Sequence, residues 1–75
     1  MRELVEYMAR NLVDEPDQVK VTEREEDGVT IIELSVAEND MGKVIGKQGR
    51  IAKAIRTIVK AASMKQPDKY VVEIV

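Results

Sequence analysis

Val44-Ile45-Gly46-Lys47-Gln48-Gly49-Arg50-Ile51 sets two glycines around a two-residue polar turn, between one apolar segment and another. Lacking side chains, Gly46 and Gly49 let a second backbone approach closely. Gly46 ends a short helix running Met41 to Ile45, with Asn39 or Asp40 as its N-cap, and a longer helix starts near Gly49 or Arg50. Free N–H groups at that helix start attract phosphate oxygens, and Lys47 and Arg50 add full positive charge. Geometry and charge favour a phosphate-bearing ligand.

Counting excludes two phosphate motifs. A P-loop needs four residues between its glycines and a Ser or Thr after the lysine. Here Lys43-Val44-Ile45 alone separate Gly42 from Gly46, and Gln48 follows Lys47. The G-x-G-x-x-G dinucleotide fingerprint does not fit glycines at 42, 46 and 49 either. Nucleotide hydrolysis and hydride transfer are set aside.

Around the turn the charge is one-sided. From Met41 to Lys65 there are seven basic residues (Lys43, Lys47, Arg50, Lys53, Arg56, Lys60 and Lys65) and no acidic ones, a local charge of +7. The other five basic and all fourteen acidic residues lie outside it, leaving −9 there and −2 for the chain. The mean charge opposes a polyanion partner, whereas its distribution favours one. A charge run alone reads sooner as a solvated helix face than as a binding surface; the glycines inside it change that balance.

Further out, Leu4, Val5, Met8, Ala9 and Leu12 recur at helical spacing over residues 2–13, and Pro16 stops that helix. Gln18 to Glu26 is a charged, edge-type strand, and Val29 to Val36 is a second strand with Ile32, Leu34 and Val36 on one face and Val29 and Ile31 on the other. Asp27-Gly28 between them signals a tight antiparallel hairpin. In the long second helix Ile51, Ile55, Ile58, Val59 and Ala62 make the core face, opposite Lys53, Arg56 and Lys60. Pro67 ends it, and Tyr70 to Val75 is a final strand. The order α-β-β-α-α-β predicts an α+β fold, a three-stranded mixed sheet with three helices packed on one face. Its last strand joins in parallel, through a crossover of two helices.

The V-I-G-K-Q-G-R-I stretch, in a chain of this layout, resembles the signature of the KH domain family, whose GXXG loop clamps about four nucleotides of single-stranded nucleic acid. The resemblance covers the whole chain, read as a single KH domain over residues 1–75, and the element order is similar to the type II, prokaryotic arrangement. It implies that Gly46, Lys47, Gln48 and Gly49 grip the RNA backbone, and that Ile45 helps form an apolar groove floor. Charge and proximity add Lys43, Arg50 and Lys53, and the edge of the second strand around Leu34 to Val36 is the expected opposite wall. Single-stranded RNA is the expected ligand, with single-stranded DNA as the alternative. Tyr7 and Tyr70, the two aromatics, are distant from the loop in sequence, which argues against aromatic stacking platforms.

Thr57, Ala61 and Met64 form a separate helical stripe, read as ordinary surface or as a dimer or partner surface. The resemblance implies a homodimer, pairing with a larger KH-containing partner, and a post-transcriptional regulator or RNA chaperone role. A protein–protein adaptor without RNA contact is the rival reading.

Catalysis finds little support. There is no histidine to activate Ser35 or Ser63, and no cysteine for a thiolate nucleophile, a disulfide or a thiolate metal site. No cofactor, metal or small-molecule substrate is expected. Nor is a membrane partner: the N-terminal segment lacks a signal peptide's apolar core, and a cytoplasmic location is the expectation.

Overall fold

The computed structural model describes residues 1–46, 49–64 and 68–75. Its elements run α1 (Arg2–Leu12), a single 3₁₀ turn (Pro16–Gln18), β1 (Lys20–Glu26), β2 (Val29–Ser35), α2 (Glu38–Ile45), α3 (Arg50–Ser63) and β3 (Lys69–Ile74). Strand order is β1-β2-β3, with β1 antiparallel and β3 parallel to β2. The three helices pack on one face of this mixed sheet, the type II KH arrangement that the resemblance implies.

The hairpin forms because Asp27 and Gly28 both take positive φ, 51° and 81°. Such a two-residue turn matches the twist of the flanking strands and fixes Glu26 opposite Val29. Register then decides which side chains face the helices. Val21, Ile32, Leu34, Val36 and Val72 point inward, against Val5 and Ala9 of α1, Val44 of α2, and Ala52, Ile55 and Val59 of α3. Within the sheet the most buried positions, Ile32 and Leu34, fall on the central strand, which has a neighbour on both sides and the helices above it.

Polar contacts fix the helices on this core. Glu23, on the inward face of β1, accepts the Arg2 N–H at 2.9 Å and so satisfies one of the free donors in the first turn of α1. Asp40 is 1% exposed, and its Oδ1 and Oδ2 accept the N–H groups of Asp14 (3.0 Å) and Glu15 (2.9 Å). The first turn of α2 is thereby tied to the connection that follows α1.

Several expectations change. α2 starts at Glu38 behind Ala37, three residues before Met41, and Asp40 reaches across to residues 14 and 15 instead of capping its own helix. On α3, Ile58 (44% exposed) and Ala62 turn out to face solvent, whereas Ala52 is buried. The core face of α3 is centred on Ala52, Ile55 and Val59, rotated from the expected stripe. Ile31, on the outer face, is nonetheless buried. Its cross-strand neighbour Arg24 reaches Glu33 (3.6 Å) and, beyond β2, Glu73 (4.0 Å), which carries its alkyl stem across the central strand. Among the described residues no helix is long and apolar enough to cross a membrane.

Candidate nucleic-acid interface

The turn between α2 and α3 is built by its glycines. Gly46 follows Ile45 and keeps its N–H bonded to the Gly42 carbonyl at 2.7 Å. A Cβ on Gly46 would collide with that same Gly42 carbonyl, so the close pass is open only to glycine. Gly49 donates its N–H to the Gly46 carbonyl at 2.8 Å, closing the turn, and adopts φ 67°, ψ 34° as the N-cap of α3. That left-handed conformation is what glycine supplies without steric penalty. Both glycines flanking the turn are therefore needed for the backbone path itself. Lys47 and Gln48 lie outside the described residues.

Electrostatics at this point are unbalanced. α1 and α2 carry acidic residues in their first turns, Glu3 in one and Glu38 with Asp40 in the other, but α3 has none. Its positive helix end instead meets Arg50, with Lys53 one turn on, both exposed. Among the described residues neither is ion-paired, nor is Lys60. Like charge on a helix N-terminus is unfavourable until an anion neutralises it. Lys43 differs: its Nζ lies 3.2 Å from Asp14 Oδ1, an exposed pair that partly offsets its charge. Ile45, immediately before Gly46, is 55% exposed, an apolar side chain left in solvent beside the turn.

The expected wall at Leu34 to Val36 is corrected. β2 is the central strand: Leu34 pairs with Val21 on one side and Ile74 on the other, so its edge is not available. The free edge beside α3 belongs to β3. Between them lies an open cavity of about 500 Å³, mostly apolar, walled by Arg56, Val59 and Lys60 of α3 and by Tyr70, Val71 and Val72 of β3, with Val29 at its margin. Tyr70, set aside on the distance of its sequence position, lines this cavity. The pattern held the clue: a hairpin partner on one side and a parallel partner on the other leave β2 no free edge.

Arg50, Lys53, Arg56 and Lys60 therefore run from the glycine turn along α3 to the cavity, about 10 Å from Gly49 to Arg56 at the helical rise. Arg56 is not wholly free, since its Nε donates to the Val72 carbonyl at 3.3 Å. Thr57, Ala61 and Met64 are exposed on another flank of α3, Met64 at 79%, and Ile58 adds a larger apolar side chain that the sequence stripe omitted. Among the described residues no cluster of three or more potential metal ligands forms.

Comparison with known proteins agrees with this architecture. Residues 2–74 match the family described as KhpA/KhpB, KH domain. The chain is 60% identical over 75 residues to a protein of Clostridium perfringens named RNA-binding protein KhpA, covering all of both chains. Proteins of the same name from Clostridium acetobutylicum and Caldanaerobacter subterraneus subsp. tengcongensis are 57% and 59% identical, again with full coverage of both. The KH family is a non-enzymatic one. Matched over nearly its whole length and folded in the type II order, the chain belongs to the KhpA/KhpB KH domain family.

Proposed function

We propose that this protein binds single-stranded RNA, holding the backbone at the GXXG loop 46–49 and laying the bases along α3 into the cavity against β3. The observation that carries this reading is the glycine turn, which closes on itself at the N-terminus of α3, among the described residues the one helix start with cations and no acid in its first turn. The names of the relatives, RNA-binding protein KhpA, support the same ligand. Arg50 and Lys53 contribute charge, Ile45 an apolar contact, and Lys43 a smaller share because Asp14 competes for it. The cavity is mainly apolar, and its lining sets Arg56, Lys60 and Lys69 beside one carboxylate, Asp68, so one domain gives modest affinity that depends on salt.

The protein acts as a single KH domain in the cytoplasm, as a post-transcriptional regulator or RNA chaperone. It works as a homodimer or with a KhpB-like partner, a pairing that the family's description invites. The exposed flank of α3 with Ile58, Ala61 and Met64 is the surface for either, and two grooves on one particle raise avidity. Filter binding to single-stranded RNA at low and moderate salt tests the central claim. Retention at low salt, abolished by Lys47→Asp with Gln48→Asp, is the expected result. No retention, or retention indifferent to that pair, leaves the adaptor reading in its place. A matched single-stranded DNA arm decides whether the 2′-hydroxyl matters.

A further inference from the structure

β3 ends the sheet, and one bond fixes which of its residues face outward. Val75 N–H donates to the Leu34 carbonyl at 2.9 Å, so the backbone groups of Val75, Glu73 and Val71 turn toward β2. Those of Tyr70, Val72 and Ile74 turn the other way, to a side on which no strand lies among the described residues. Arg56 Nε reaches the Val72 carbonyl there at 3.3 Å, and that oxygen keeps a second lone pair.

The two edges of the sheet differ in how they would meet a further strand. β1 carries charge at five of its seven residues, the dense pattern that keeps an edge from pairing. β3 carries charge at two of six, Lys69 and Glu73, with Tyr70, Val71 and Val72 between them. Lys69, Val71 and Glu73 share the sheet face away from the helices, as do their β2 partners Val29, Ile31 and Glu33, and Val71 is 45% exposed. Among the described residues Lys69 makes no ion pair. Arg24 divides itself between Glu26, Glu33 and Glu73, with Glu73 the furthest at 4.0 Å.

Two copies of this strand complement each other. An antiparallel pairing sets edge-facing residues opposite edge-facing ones, so the register can slip only by two residues. With a two-fold axis at Val71, Lys69 of each copy lies opposite Glu73 of the other, Val71 faces Val71, and Tyr70 faces Val72. An axis at Val72 puts Glu73 opposite Val71, and an axis at Glu73 sets Glu73 against itself. An axis at Tyr70 leaves Lys69 opposite Val71. The register about Val71 is the one that matches both charges.

We propose that the outer edge of β3 is a self-association surface, where a second copy of this chain adds its own β3 antiparallel about Val71 and joins two three-stranded sheets into one. Such a contact is isologous, so the ion pair between Lys69 and Glu73 is made twice. It shares no residue with the exposed flank of α3, and it borders the cavity. It does not depend on RNA binding.

Charge exchange tests it by sedimentation equilibrium, with Ala61→Glu in every chain so that the flank of α3 adds nothing. This parent is expected to associate weakly and reversibly. Lys69→Glu and Glu73→Lys, made singly, are each expected to weaken association about tenfold or more, because two favourable cross-strand pairs become two repulsive ones. An equal mixture of the two single variants regains association, since each chain then meets its opposite. The double variant, Lys69→Glu with Glu73→Lys, regains it alone. A chain that had merely lost its fold does not recover on mixing, which separates the contact from a loss of stability. A parent that stays monomeric at the highest concentration reached, single reversals that associate as the parent does, or a mixture no tighter than its components overturns the inference.

Discussion

Asp40 shows how one side chain sets the position of a helix. Its carboxylate is buried, yet every contact it makes is to the backbone of a distant segment, Asp14 and Glu15. Hydrogen bonds to an ionised acceptor contribute more than neutral ones, and their loss leaves two N–H groups to find water. Asp40→Ala is expected to lower unfolding free energy by about 2 kcal/mol in urea titration. A change within about 0.5 kcal/mol, as surface substitutions give, would show the tie to be idle. Gly49→Ala places a Cβ in left-handed backbone and is expected to cost about 1 kcal/mol, although open space surrounds the position. Gly46→Ala has no such space and is expected to disrupt the turn more severely, seen as a larger loss of RNA retention. The glycines were legible from their spacing. The role of Asp40 was not, because sequence shows a capping residue type without showing whose N–H it will reach.

At the scale of elements, α3 carries three surfaces on one cylinder. One packs on the sheet through Ala52, Ile55 and Val59, one is cationic, and one exposes Ile58, Ala61 and Met64. The third surface predicts that Ala61→Glu shifts a dimer toward monomer in sedimentation velocity while leaving the circular dichroism spectrum intact. Ile58→Glu is expected to act more strongly, as it removes more apolar area; sedimentation profiles unchanged in both would count against that flank. Helical period located α3 correctly and misjudged its rotation. Ala52 is small and weighs little on a helical wheel, whereas Ile58 weighs heavily, so a pattern read by hydrophobicity tilts toward the isoleucine. The neighbours that decide burial, α1 and the sheet, cannot be seen in the α3 sequence itself. The same limit displaced the groove wall, since strand order in a sheet is a property of pairing and not of any one strand.

Along the chain as a whole the charges are sorted by segment. Residues 41–65 carry seven basic residues and no acidic one, so a chain of net charge −2 can still approach a polyanion through its cationic segment. Neutralising about three or four phosphates predicts a log–log slope of affinity against salt of about −2 to −3 for a single strand. A slope near zero in anisotropy titrations would mean that phosphates are not what the loop and α3 engage. The fold class, element order and glycine turn were all readable because each depends on local period and turn chemistry. The cavity was not, because it exists only where α3 and β3 meet, and the two meet only through a parallel pairing.

That parallel pairing also orders events in time. β3 joins β2 across both intervening helices, from Val29↔Lys69 to Leu34↔Ile74, so contacts about forty residues apart close the sheet. A ribosome delivers the hairpin, the glycine turn and the cationic helix before it delivers the strand that completes the cavity. A chain that has not yet made β3 therefore carries the cationic run without the wall of the proposed groove. The cavity exists only once the most distant pairing of the sheet has formed, so the proposed groove depends on the last and least local step of folding.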